Sequence, residues 1–459
     1  MDEINVLAAT GMLGSGFLES TFQRALSWNP AFIGSDAGST DGGPTFLGTG
    51  GCSYSRTAVK RDLRLSLLAA RNIDIPLLIG SAGYAGGDLN LSWTVDIAKE
   101  IAREEGLHFK MAVIHSEQDK AYLKKKMAEG KIYPLKPAPS YDEQTIDRSE
   151  HIVGMMGAEP FIRALEEGAD VVIAGRSSDT SIFAAIPIQR GYSAGPVWHA
   201  AKVLECGSAC VVSRSVGDSM FARIGQEYFI MDPPNPEHRC TPLSVAAHTF
   251  YETSSPIHLY EPSGMVDTSA ATFEAENERA VKVTGSRFVK AESYRIKLEG
   301  VEKAGYQAIS IAGIRDPILI GQIDEWIARL REIVKKRVYD MYGDEIISEG
   351  YFFNIRVYGK NGVLGALEPL SKKPSSQYEL ALVFEATAPT QEMATSIMSA
   401  APQIALHMRV PGWSGFPSNL AFPYSPKFIE RGPVFRFNVN HVVEPADPYE
   451  MFPMEMVKI

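Results

Sequence analysis

An α/β architecture with a parallel sheet in its first part is what this chain predicts, on three observations. Short apolar runs recur just ahead of glycine-rich turns: Ala31-Phe32-Ile33 before Gly34 to Gly43, Pro76 to Ile79 before Gly80 to Asp88, and Val171 to Ala174 before Gly175 to Thr180. Segments of helical periodicity separate these runs, as parallel strands joined by right-handed crossovers require. Loops of this kind gather at the carboxyl edge of an open α/β sheet, where such folds bind ligands.

The elements follow in order. After the loop carrying Asp36 and Asp41, Ser55 to Asn72 reads as an amphipathic helix with Val59, Leu63, Leu67 and Ala70 on one face. Ile75 to Ile79 reads as a strand, and Ser92 to Glu105 as a helix with Trp93, Ile97 and Ile101 at four-residue spacing. Phe109 to Ile114 is a predicted strand ending at His115. A charged helix, Ser116 to Gly130, follows it, with Ser116 as its cap and Asp119 in the capping-box position. Glu159 to Glu167 is helical and Ala169 to Ala174 a strand; Val197 to Cys206 is a helix with Pro196 as its start signal. Ser293 to Leu298 and Tyr306 to Ile311 alternate with period two, and Asp316 to Met341 is patterned as a long helix or helix pair. Beyond Gly343, strand-like Phe352 to Tyr358 and Tyr378 to Ala386 precede a helical Gln391 to Met408 and a final strand, Val434 to Val439. The pattern places residues 1–342 in a Rossmann-like main domain, with a candidate internal boundary near 195, and 343–459 in a smaller α+β carboxyl-terminal domain.

Composition narrows the function. At 459 residues the chain exceeds the roughly 250–300 residues that one core supports. Its 45% hydrophobic and 22% charged residues are ordinary for a globular protein, and a net charge of −10 argues against nucleic-acid or anionic-membrane surfaces. Four cysteines, Cys52, Cys206, Cys210 and Cys240, are too few for a disulfide scaffold and lack the paired spacing of a structural zinc site. No apolar run approaches the ~20 residues that span a bilayer. Met1 to Ile4 has no basic, apolar leader pattern, so a cytoplasmic location is expected.

Candidate chemistry concentrates on the loops. Asp36 and Asp41 are separated by small hydroxylic residues and suit proton transfer or a hard metal. Arg56, Lys60 and Arg64 fall four apart on one helix face and could clamp a carboxylate or phosphate, unless they form a solvated face. His115, directly after a strand, is a candidate acid or base. Arg176, Ser177 and Asp179 pair an anion binder with a carboxylate on a strand-end loop, and Arg287 sits on a similar loop. Gly80, Ser81, Gly83 and Gly86 offer backbone donors. None of these loops matches the phosphate-binding Gly-Lys-Ser/Thr pattern, the spaced dinucleotide fingerprint or a nucleophile elbow.

Pro76 to Asp88, Gly168 to Arg176, Val283 to Phe288 and Asn419 to Pro426 together resemble the acyclic terpene utilisation (AtuA-like) family. The resemblance spans most of the chain. It implies a catabolic setting of CoA thioesters and a small companion subunit, and it carries over no catalytic residue.

These residues together predict a catabolic enzyme acting on a small carboxylate or acyl-CoA, a hydratase/dehydratase or other lyase. Arg176 with Arg56 or Arg64 would hold the anionic group. Gly80 to Gly87 would stabilise a developing enolate, and Asp36, Asp41, His115 or Asp179 would move protons. The alternative is a non-catalytic ligand-binding or assembly subunit of an enzyme complex. A divalent metal is left open as cofactor, a CoA thioester as substrate, and a homo-oligomer is expected.

Overall fold

Strands Ile4–Ala8, Phe32–Asp36, Leu77–Gly80, Val171–Ala174 and Lys110–Ile114 are almost wholly buried, which is why they read as continuous apolar runs instead of alternating ones. The computed structural model describes residues 3–212, 217–369, 378–412 and 419–459, which leaves the first two residues of the Met1 to Ile4 segment outside the described residues. These five strands form the parallel centre of a ten-stranded sheet, in the order just given. Antiparallel strands complete it: Met220–Ile224, Tyr228–Asp232, Val281–Thr284 and Thr272–Ala275 beyond Ile4–Ala8, and Met454–Lys458 beyond Lys110–Ile114. The parallel sheet that the sequence predicts is therefore the middle of a mixed sheet, within a mixed α/β fold.

Successive side chains of the central strands go to opposite faces. Val6, Phe32, Leu78 and Val172 pack with Phe161, Ile182 and Phe183 on one side. Leu7, Ile33, Leu77, Ile79 and Ile173 pack with Phe22, Leu63, Leu67 and Ile101 on the other. Helix Arg56–Asn72 shows how the sequence produces this. Ser55 caps it by accepting from the Ala58 N–H, and Val59, Leu63, Leu67 and Ala70 form its buried stripe. Each large side chain there stabilises the fold by about 1.5–3 kcal/mol relative to exposure. The charged helix after His115 starts later than its pattern suggests, at Lys120–Ala128, because Asp119 is its cap and accepts from the Tyr122 N–H.

The described residues fall into two compact units, 1–302 with 437–459 and 303–436. The two strands read between Ser293 and Ile311 are one, Ile296–Ile314. Its first part pairs with His151–Met155 in the larger unit, and its second part with Leu380–Ala388 in the smaller. In the smaller unit Phe352–Tyr358 pairs with the outer side of Leu380–Ala388. Helices Ile323–Glu349 and Gln391–His407 contribute Trp326, Leu330, Ile397 and Met398 to a core that includes Leu382 and Phe384. The Trp326 indole N–H donates to the Met408 carbonyl at 3.0 Å.

Candidate functional site

Strands Phe32–Asp36, Leu77–Gly80 and Val171–Ala174 are consecutive in the sheet, so their carboxyl ends bring three predicted loops side by side. Asp36 is the register partner of Gly80. A Cβ on Gly80 would strike Ser177 Oγ and Ile182, so glycine is what lets the segment after Ala174 close over the strand end. Arg176, on that segment, is buried. Its Nε donates to Glu299 Oε2 at 2.7 Å, and its Nη1 donates to Asp179 Oδ1 at 3.1 Å, Ser81 Oγ at 3.1 Å and the Ser177 carbonyl at 2.9 Å. Lys297 Nζ donates to the other Glu299 oxygen at 2.7 Å. Burial opposes ionisation of Glu299, but Arg176 and Lys297 outweigh it and hold its carboxyl down at about 2.

The turn from Gly80 to Gly87 serves this arginine. Its Ser81 and Ala82 N–H groups donate to the Gly175 and Ala174 carbonyls at 3.0 and 2.9 Å, so these two donors hold the neighbouring loop and are not left for an anion. The Arg176 N–H is received by the Gly86 carbonyl at 3.1 Å and by Ser116 Oγ at 2.7 Å, and Ser116 in turn donates to Gly86. Gly86 has φ of +73°, and a Cβ there would run into the Arg176 backbone nitrogen. Gly86→Ala is thus expected to destabilise the fold by at least about 1–3 kcal/mol, measured by urea unfolding. A variant as stable as the wild type would show that the turn has room to relax.

Around Arg176 lies a group of carboxyls. Asp36 is 4% exposed, and its Oδ1 has no hydrogen-bond partner. Burial, and then the Asp179 charge, raise its pKa well above the carboxylate range. Burial also raises Asp179 against the pull of Arg176; its side chain is 30% exposed, more open than Asp36. Glu205, buried just past helix Ala194–Leu204 and bonded to Lys202, is pushed up to about 8, chiefly by burial. Glu261, at the end of strand His258–Glu261, accepts from Ser178 Oγ at 2.7 Å and Thr180 Oγ1 at 2.5 Å and is pushed up by burial to about 7.

These two glutamates have a consequence for stability. The unfolded chain releases a glutamate proton near 4.5, whereas folded Glu205 keeps its proton to about 8. Between those values the folded state binds more protons, so stability falls as pH rises through the window. Urea unfolding at pH 5 and pH 8 is expected to show this fall, and a shallower one in Glu205→Gln. Identical slopes in the two proteins would contradict the burial of an acidic proton at Glu205.

The other predicted residues are placed as follows. Asp41 is exposed and accepts from Ser39 Oγ at 2.9 Å, and its charge acts on Asp179. Arg56 and Arg64 share a helix face with Lys60 as expected, but their partners are carboxylates of the next helix. Arg56 pairs with Glu100 at 2.5 Å, Arg64 with Glu104 and Glu105, and Lys60 with Glu100 and Glu104. His115 Nδ1 lies 2.8 Å from Asp88 Oδ1, which raises the imidazole pKa. Beside it, His151 Nδ1 lies 2.5 Å from Glu117 Oε1, while Glu117 Oε2 accepts the Asp88 N–H. Gly83, with φ of +67°, packs on the Asn90 backbone. Arg287 is exposed on strand Arg287–Lys290, opposite Asp267.

Several residues of the cluster have no local sequence signal: Lys202, Glu205, Glu261 and Glu299. A further glycine-rich turn, Gly11 to Gly16 after Ile4–Ala8, reaches the same edge. Its Leu13 N–H donates to the Asp36 carbonyl at 2.8 Å, and Gly11 abuts the Cys206 backbone. Asp62 ties this turn down by accepting from the Gly14 and Gly16 N–H groups, each at 2.9 Å. The strand-then-glycine pattern that marks the other three loops would have found it.

Chemically, the cluster pairs a buried carboxyl whose burial raises its pKa with a more open carboxyl held by a guanidinium, an arrangement suited to proton transfer. Burial drives the Cys206 thiol pKa up, which makes it a poor nucleophile. Among the described residues no group of three or more His, Cys, Asp or Glu side chains is arranged to hold a metal ion. Nor is any described helix long and apolar enough to cross a membrane.

The family model described as "Acyclic terpene utilisation family protein AtuA" matches residues 66–213 and 222–430. No curated protein and no solved structure matches the chain.

Proposed function

The chain belongs to the acyclic terpene utilisation family, and on that footing we propose that it is an acid–base enzyme, a hydratase/dehydratase or other lyase acting on a small carboxylate or acyl-CoA. The observation that carries this reading is the buried Asp36 carboxyl, with one oxygen unpartnered, beside Arg176 and Asp179 at the carboxyl edge of the parallel strands. Asp36 keeps its proton and gives it to a leaving oxygen. Asp179, more open and oriented by Arg176, takes a proton from carbon. A carboxyl pKa raised above its ordinary value suits both tasks. The Nε and Nη1 of Arg176 are held by Glu299, Asp179, Ser81 and the Ser177 carbonyl, and its part in this reading is to orient Asp179. The test is turnover of an acyl-CoA and hydroxy-acid panel by the purified chain, alongside Asp36→Asn and Asp179→Asn; no turnover of any member by the wild type counts against the reading.

A second reading, a ligand-binding or assembly subunit acting with a small companion protein, is favoured by one observation. Val363, Leu367 and Tyr378 of the smaller unit are 79%, 83% and 79% exposed, apolar side chains that a companion protein would cover in this reading. Activity that arises only when a partner is added would support it.

A further inference from the structure

Outside the carboxyl cluster, the Gly285-Ser286 turn sets a serine against a buried histidine. These two residues are the whole link between strands Val281–Thr284 and Arg287–Lys290, which belong to different sheets. Gly285 has φ of +82°, and a Cβ there would strike the Ala270 carbonyl, so glycine makes the turn. Gly195 lets Ser286 close over helix Ala194–Leu204, because a Cβ on it would strike the Ser286 carbonyl. His199 lies one turn further along that helix, fully buried, with the Phe229 and Phe273 rings T-shaped against it. Its Nδ1 is 2.6 Å from Ser286 Oγ, and its Nε2 is 2.9 Å from Thr249 Oγ1. Thr249 Oγ1 also donates to the Val245 carbonyl at 3.0 Å.

The order of protons follows from that last bond. Thr249 gives its single proton to Val245 and so accepts from His199 Nε2–H, which leaves Nδ1 bare to accept from Ser286. The reverse order would leave the Thr249–Val245 contact without a proton. Burial lowers the His199 pKa to about 3, so the ring is neutral at physiological pH. Ser286, by contrast, is partly exposed. A reachable hydroxyl, bonded to a neutral imidazole whose other nitrogen is fixed by a third group, is the arrangement that nucleophilic catalysis requires.

We propose that Ser286 is a nucleophile with His199 as its base, a second catalytic site whose substrates are carboxylic esters of acidic alcohols. This chemistry is independent of Asp36 and Asp179. Ser286 Oγ bonds the acyl carbon, and its proton passes to His199 Nδ1. The ester C–O bond breaks with its electron pair on the leaving oxygen, which takes that proton and departs as the alcohol. Water then bonds the acyl carbon and gives a proton to Nδ1. The bond from the acyl carbon to Oγ breaks, Oγ recovers the proton from Nδ1, and the carboxylic acid leaves. Burial makes the imidazolium costly, and Thr249 offers it a dipole where a carboxylate would offer a charge. The site therefore favours alcohols that depart readily as anions, such as phenols.

A fluorophosphonate probe and p-nitrophenyl acetate test this on the full chain. The probe is expected to bond Ser286 Oγ with loss of fluoride, and peptide mass spectrometry to place the adduct on that residue. The wild type is expected to cleave p-nitrophenyl acetate, and Ser286→Ala to do so at least about a hundredfold more slowly. That substitution trims a partly exposed side chain, and an unchanged urea midpoint shows that the fold is kept. The ¹⁵N shifts of the His199 ring in the wild type read the base without any substitution: Nε2 protonated and Nδ1 bare is the expected result. No adduct on Ser286, ester cleavage undiminished in the folded Ser286→Ala variant, or a proton on Nδ1 overturns the proposal.

Discussion

Arg176→Met is expected to cost the fold about 3–5 kcal/mol, the largest stability loss of any single change at this site. Arg176 and Glu299 are each 5% exposed, and Glu299 is ionised because the guanidinium and Lys297 hold it so. Without the guanidinium, Glu299 keeps only the partly exposed Lys297, and Asp179 loses its own donor. A buried carboxylate left in that state must take up a proton or bring in water, and either raises the energy of the folded state. The double variant Arg176→Met/Glu299→Gln should recover much of the loss, because it removes both charges together. Urea unfolding curves of the four proteins form the cycle. A single variant within about 1 kcal/mol of the wild type would mean that the pair is far better solvated than its burial indicates.

Asp36→Asn is expected to lower turnover by about 10²- to 10⁴-fold while leaving the fold intact. Asparagine keeps the size and most of the hydrogen-bonding capacity of a protonated aspartic acid but has no acidic proton to give. Because burial raises the Asp36 pKa and disfavours its charged form, the substitution adds no buried charge to the folded state. The expected outcome is therefore a stable, inactive protein. Loss of activity together with loss of structure would assign Asp36 to the fold instead of the chemistry, and circular dichroism with the unfolding midpoint separates the two.

How much of this was legible in the sequence depended on whether the signal was local. The strand-then-glycine pattern at Gly34, Gly80 and Gly175 locates the sheet edge and brings Asp36, Ser81, Arg176 and Asp179 together on it. The four-residue spacing of Arg56, Lys60 and Arg64 correctly put them on one face. What faces them, Glu100, Glu104 and Glu105, comes from a helix about forty residues later, and no local pattern reports that. Glu205, Glu261 and Glu299 are single acidic residues on a helix end and two strands, each with the look of an ordinary surface residue. Only tertiary packing buries them. The flanking antiparallel strands Met220–Ile224 and Tyr228–Asp232 are short and joined by a tight turn, too brief to establish a period. Helical periodicity stops near Gly343, while the two compact units meet within the continuous strand Ile296–Ile314, which no composition shift marks.

The measurement that tests the central claim most directly is the pH profile of kcat/KM for 3-hydroxybutyryl-CoA dehydration in the wild type, Asp36→Asn and Asp179→Asn. A proton donor at Asp36 and an acceptor at Asp179 predict a bell. Its high-pH limb reports loss of the Asp36 proton, its low-pH limb protonation of Asp179, and each substitution lowers the rate and removes its own limb. A profile that keeps both limbs and its height in both variants would contradict the assignment and place the proton transfers elsewhere in the molecule.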